Sequence, residues 1–477
     1  MANDSGRHPW ELNTLQRGLV DSCFEEGQYE TAIATLNQLR SSEFNPWPPH
    51  LRQVIYISLQ STKDLATQHE IDTSIQASPS KLVKQHQYQM SLNLIPPKAV
   101  YDAQKLLMAY LLSSTPAALG RALPQRRSLI PPPPVHNEGD STVARRAACI
   151  IQCRDCWEML HTNFLLRQSA VPSAPKVKLK RQSEHIGYSK LDSTDLNASS
   201  PVVVTEDAWP LMEWLVSLFE RDEELSETHP DARHSSLLAA QLLDDTDKAY
   251  FDIPITIIMH CLAQTQPQRQ RLASRLLSLL INLTSTVELD LQGLIFAVYT
   301  RIHSLEQISL LISLLNQPSA TQILKFRIGL CHRLISGLGP PATGNGPKPQ
   351  PRIRARVTKA VDKQEPTTVD PPTTNRSSVP ATSEILRLFQ APVPEEVQSG
   401  ASLTPLWCKY QLLSVYGTFQ ARLTPADRDS EWSKTLAETL PRIVRDVFQQ
   451  KGNEASVYQR LLENQIIGWQ QLVGVVH

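Results

Sequence analysis

Nine prolines fall within the 41 residues from Pro340 to Pro380, where the large apolar side chains are limited to Ile353, Val357, Val361, Val369 and Val379. Such a stretch buries too little surface to offset the entropy of ordering it. It predicts a disordered, Pro-rich linker over 339–382. A second stretch, rich in Ser, Lys and Asp between Val171 and Thr205, predicts a disordered basic linker over 169–206. The run Pro131–Pro134 favours extended polyproline geometry and marks a break near 113–142. The expected map is an N-terminal helical region (10–168), the basic linker, a central helical domain (207–338), the Pro-rich linker, and a C-terminal helical region (383–477).

Between the breaks the apolar pattern has a helical period. Val100, Ala103, Leu107, Tyr110 and Leu111 share one helical face, and Pro96-Pro97 sit where a helix start tolerates them. Leu272, Leu276, Leu279, Leu280 and Leu283 repeat the spacing, as do Ile323, Phe326, Leu330 and Leu334. The last of these helices is expected to stop at Gly337, with Pro340 beyond. Thr115-Pro116 and Thr424-Pro425 read as N-cap plus first-turn pairs. In the middle block, helices are expected near 209–225, 233–244, 254–264, 268–284, 288–302, 304–316 and 319–336. Hairpin signals are missing, and Val202–Thr205 is the one clear β-branched run. The expected fold class is all-α: helical hairpins forming an α-solenoid or bundle, with long disordered linkers.

One hairpin carries a more specific pattern. Gly27, Tyr29, Ala32, Ile33, Leu36 and Leu39 follow an expected first helix that includes Leu19 and Cys23. The arrangement resembles the second half of a tetratricopeptide repeat, in which a small residue, an aromatic two later and an alanine three after that let two helices pack closely. The resemblance implies that Leu19 and Cys23 face inward, and that Gln28 and Glu30 are exposed. It covers about 30 residues and one copy. Val20 stands where that family has a small residue, and the closing proline, Pro46, comes two residues late.

The sharpest chemical motif is Cys149-x3-Cys153-x2-Cys156. This spacing resembles the cluster loop of radical S-adenosylmethionine enzymes, although Asp155 stands where that family often has an aromatic residue, and the strand–helix alternation of its barrel is missing. On a regular helix Cys149 and Cys156 lie about 10 Å apart along the axis, whereas two thiolates on one metal need sulfurs within roughly 4–5 Å. The expectation is therefore a packed helical stripe of Cys149, Cys153, Cys156, Trp157, Leu160 and Phe164, with no metal. His161, His260-Cys261 and Cys331-His332 complete no zinc set, and each adjacent pair is expected to place one side chain inward and one outward. His69-Glu70 lacks the second histidine of a metalloprotease helix, and Gly339–Gly344 lacks the lysine of a P-loop. No catalytic, cofactor-binding or metal-binding residue is assigned, and no cofactor is expected.

Charge narrows the function further. With 47 basic and 47 acidic side chains the chain is not a general polyanion binder. Two basic runs lie in the expected linkers: Lys176, Lys178, Lys180, Arg181 and Lys190, then Lys348, Arg352, Arg354, Arg356, Lys359 and Lys363. They read as solvated spacers, import signals or phosphate contacts. Glu220–Asp231 is acidic and is expected to solvate a helix end. Seven cysteines thinly spread fit reduced thiols. The N-terminal residues show no apolar leader, no membrane-spanning run appears, and the four Asn-x-Ser/Thr sequons carry no expectation of glycosylation. The expected function is a non-enzymatic helical scaffold or adaptor subunit of a protein complex, in nucleus or cytoplasm and not secreted, with protein partners. The alternative is a helical factor that touches nucleic acid through its basic linkers. A third reading is an enzyme with an unrecognised site.

Overall fold

A computed structural model describes residues 10–42, 44–61, 95–124, 141–161, 164–165, 203–226, 233–243, 251–285, 289–302, 304–315, 320–337, 379–392, 405–449 and 452–474. The fold is all-α. Among the described residues the only strands are β1 (Trp10–Glu11) and β2 (Phe44–Asn45), a two-residue parallel pair that clasps the ends of the first hairpin. The chain divides into two compact units, Met1–Leu283 and Thr284–His477. The division falls inside the expected 207–338 block. Most of 169–206 and 339–382, both basic runs, and the near-miss motifs at His69 and Gly339 lie outside the described residues.

In the first unit, α1 (Thr14–Glu25) opens on a capping box: Asn13 Oδ1 accepts from Gln16 N at 2.9 Å, and Gln16 Oε1 accepts from Asn13 N at 3.0 Å. Gly27 takes φ 73°, a left-handed geometry glycine adopts without Cβ strain, and turns the chain into α2 (Tyr29–Gln38). Tyr29, Ala32, Ile33 and Leu36 are buried as expected. The facing side of α1 is not. Val20 and Phe24 are buried, whereas Leu19 is 56% exposed and Cys23 only half-buried. The helix is rotated by one residue, about 100°, which places the rigid valine and the larger aromatic ring in the core. Glu30 is also not free, because it pairs with Lys98.

Next come α3 (Pro48–Ser58), α4 (Pro97–Ser113), α5 (Pro116–Gly120) and α6 (Thr142–Ala147). Prolines begin α3, α4 and α5, where a missing N–H costs nothing, and Thr115 Oγ1 caps α5 by accepting from Ala118 N. The inward face of α4 is the expected one, with Val100, Ala103, Leu107, Tyr110 and Leu111 all buried. It packs on α2, α3 and α7 (Trp209–Glu224). The Trp214 indole N–H donates to Leu107 O at 2.9 Å, at the centre of that contact. After α7 follow α8 (Ser236–Leu242), α9 (Asp252–Leu262) and α10 (Pro267–Leu283). A Cβ at Gly120 would meet Leu237 Cδ2 at 2.6 Å, so α5 and α8 touch closely there.

The acidic run after Glu220 does structural work instead of solvating a helix end. Glu220 pairs with Arg275 of α10. Asp222 Oδ2 accepts from Ser235 Oγ at 2.8 Å and from Leu237 N at 2.9 Å, so it ties down the start of α8. Glu223 Oε1 accepts from Asn282 Nδ2 at 2.7 Å.

The second unit contains α11 (Leu291–Arg301), α12 (Leu305–Leu314), α13 (Thr321–Gly337), α14 (Thr382–Gln390), α15 (Pro405–Arg422), α16 (Ser430–Glu438), α17 (Leu440–Phe448) and α18 (Gly452–Val473). α13 is described as far as Gly337, and the expected stop signal beyond it lies outside the described residues. α15 is its central helix, flanked by α13, α14 and α18. Trp432 is fully buried between Tyr416 and Trp469, with ring centroids 5.4 and 5.8 Å away. A Cβ at Gly417 would strike the Trp469 ring at 2.4 Å, so glycine is what lets α18 approach α15. Thr424-Pro425 differs from expectation. It forms a single turn closed by Arg428 N on Thr424 O and leads to no helix of its own. The next helix instead uses Asp429 as its cap.

Candidate functional site

The three cysteines singled out by spacing lie on neither a regular helix nor a metal loop. α6 tightens into a 3-10 turn over Ala148–Gln152, the chain extends at Cys153, and a second 3-10 turn begins at Cys156. The cause is Asp155. Its Oδ1 accepts from Trp157 N at 3.1 Å and Glu158 N at 3.3 Å, and this local cap competes with a continuous helix. The expected single stripe is therefore broken into two short pieces, although Cys156, Trp157, Leu160 and Phe164 are buried. Burial pushes the Cys149 thiol up to about 11 and the Cys156 thiol well above its usual value. Both are protonated at neutral pH and are poor metal ligands or nucleophiles. Among the described residues no group of three or more His, Cys, Asp or Glu side chains is placed to hold a metal ion.

The adjacent His–Cys pairs behave as the helical period requires. Cys261 and Cys331 are fully buried and burial raises both thiols, Cys261 to about 12. His260 points the other way and stacks on Trp209 with centroids 5.8 Å apart, while the Arg269 guanidinium sits 4.4 Å from the same ring. Arg269 also forms a forked pair with Glu206 at 2.9 and 2.7 Å. His332 Nε2 meets Glu384 Oε1 at 2.9 Å. His161, near the Cys156 turn, is half-buried.

A cavity of about 340 Å³ opens between α1, α3 and α6. Asp21 and Glu25 line one wall, Trp47 and Arg52 another, and Ala144, Ala147 and Ala148 lie opposite. His50 is buried and holds Asp21 through Nε2 at 2.8 Å. Gln53 Oε1 and His50 Nδ1 are buried without a hydrogen-bond partner among the described residues. Burial lowers the pKa of the Arg52 guanidinium below its usual value. Gln53 Oε1 and His50 Nδ1 are shut away from solvent and so do not face the cavity.

The second notable surface is apolar. On α1, Leu15 is 83% exposed beside Leu19. On α4, Tyr101, Met108 and Leu112 are exposed at i, i+7 and i+11, and the Lys105 ammonium lies 4.2 Å from the centre of the Tyr101 ring. Both helices already bury their opposite faces. Sequence reasoning missed these rows because leucines at helical spacing read as core. The one signal was the excess of apolar positions on α4 over what a single face holds.

No helix among the described residues is long and apolar enough to cross a membrane. No protein-family model, curated protein or solved structure matches this chain.

Proposed function

We propose that the chain is a non-enzymatic α-helical scaffold or adaptor, an assembly subunit of a nuclear or cytoplasmic complex, that binds partner proteins. The observation that carries this reading is the exposed apolar row on α4, Tyr101, Met108 and Leu112, on a helix whose other face is fully packed. Rows of this kind are costly to leave in water and are typical of helix surfaces that receive a partner. Protonated, buried thiols and the missing metal cluster among the described residues remove nothing from this reading.

The test is affinity capture from native extract with the full chain and with a Tyr101→Glu/Leu112→Glu variant. Both positions are exposed, so the melting midpoint is expected to stay unchanged. Capture of a reproducible partner set should drop about tenfold or more in the variant, as for a hot spot. Equal capture by both proteins, or no specific partner for either, rejects the proposal.

A further inference from the structure

Helix α18 carries a second apolar row that the described residues leave open. Ala455, Leu462, Ile466 and Trp469 form its buried face, against α15 and α17. About a third of a turn around the helix, Val457, Leu461, Gly468 and Leu472 fall into one line, with Asn464 between them. Val457, Leu461 and Leu472 are 54%, 42% and 72% exposed. Gly468 differs from the glycines at 329 and 417, where an added Cβ would strike a neighbour at 2.4 Å. At Gly468 it would meet nothing. Glycine is the least favourable helix-interior residue short of proline. Gly468 lies in the last third of this 22-residue helix, and, as at Gly18 in α1, nothing stands within 4 Å of where its Cβ would lie, so the position has room for a side chain from another molecule.

We propose that α18 pairs with α18 of a second copy of this chain, antiparallel, about a two-fold axis at Asn464–Gln465. That axis sets Leu461 against Gly468 of the second copy, and Gly468 against Leu461, so a large side chain enters a gap at two equivalent places. Val457 and Leu472 close the ends in the same way. Asn464 lies next to the axis, and its amide offers both donor and acceptor to its symmetry twin. A single asparagine in an apolar helix seam sets register and orientation. A parallel pair would instead set Gly468 on Gly468 and leave a void. The row contains no charged side chain, so a second copy brings no like charge onto it; Arg460 and Glu463 lie to one side.

Fifteen residues separate Val457 from Leu472, about 22 Å of helix. A seam of that length belongs with small, dissociable interfaces and not with obligate dimers. The pairing does not depend on the proposed partner surface on α4.

Sedimentation velocity on the full chain over a wide concentration range is the test, with Gly468→Leu and Asn464→Cys variants. The wild type should move toward twice the monomer mass as concentration rises. Gly468→Leu should weaken dimerisation by about tenfold or more, while its helical signal holds and its melting midpoint does not fall, because the added side chain meets nothing among the described residues and leucine favours a helix over glycine. Asn464→Cys should form an intermolecular disulfide on oxidation, above the wild-type background, and Val457→Cys alone should not. Three results would overturn the pairing: a wild type that stays monomeric throughout, a dimer that Gly468→Leu leaves intact, or self-crosslinking at Val457→Cys as fast as at Asn464→Cys.

Discussion

Glu223 is a carboxylate held where ionisation is unfavourable. Burial pushes its pKa up to about 7, with Glu220 and Glu224 adding to the rise and the Asn282 amide opposing it. The folded pKa therefore lies above the unfolded value of about 4.3. The fold binds this proton more tightly than the unfolded chain does, so its contribution is fully present below the unfolded pKa. That contribution fades as pH rises through about 7. Glu223→Gln keeps an acceptor for Asn282 and removes the charge. It should raise stability at pH 8 by on the order of 1 kcal/mol, discounted for partial solvent access, and change little at pH 5. Urea melts at the two pH values decide this; an equal effect at both would mean that Glu223 is not buried against α10. Asp429 has the opposite sense. Burial by itself raises its pKa, but hydrogen bonds from Thr382 and from the first turn of α16 outweigh that and hold it below the usual carboxylate range. The stability it supplies is lost as pH falls through the folded pKa. Asp429→Asn should therefore cost less at acid pH than at neutral pH in the same melts.

At the scale of elements, the first hairpin separates what the sequence reveals from what it conceals. Two pairs in α1 satisfy the same i, i+4 spacing, Leu15 with Leu19 and Val20 with Phe24. Periodicity alone fixes that a helix exists, and the neighbour decides which pair is buried. Val20→Ala should cost roughly 2 kcal/mol, since it leaves a cavity at a fully buried site. Leu19→Ala should stay within about 0.5 kcal/mol. Ala32→Trp, at the α1–α2 contact, should overpack it and cost roughly 1–3 kcal/mol. Denaturant midpoints in this order support the observed phase; a larger loss for Leu19 than for Val20 would restore the tetratricopeptide register. Elsewhere the helices were readable where Pro punctuates them, as at Pro97 and Pro116. They were not readable where a single side-chain cap competes with the period, as Asp155 does between Cys153 and Cys156. The surfaces on α4 and α18 were hidden for a related reason: an exposed leucine and a core leucine share one letter and one spacing.

For the whole chain, composition marks where sequence is polar, which is not the same as where a compact unit ends. The stretch 169–206 reads as a boundary by its serine, lysine and aspartate content. Yet the elements on its two sides are stitched together within the first unit. Trp214 donates to Leu107 O, Gln241 Nε2 donates to Pro124 O, and Gln241 Oε1 accepts from Cys156 N. Thr205 N reaches Leu160 O at 3.1 Å, and the Trp157 and Phe219 rings lie 6.0 Å apart. Both indoles, Trp157 and Trp214, are essentially fully buried, so separating the two sides would expose large aromatic surface. A protease site inserted between residues 171 and 202 and then cut should therefore leave the two pieces together. The nicked protein should elute at the volume of the intact chain under native conditions and separate only in denaturant. Trp214→Ala should weaken that association, because it removes the central ring and leaves Leu107 O without its donor. Separation of the nicked wild type under native conditions would show that 169–206 is a true domain boundary and that the contact between α4 and α7 does not hold the first unit together.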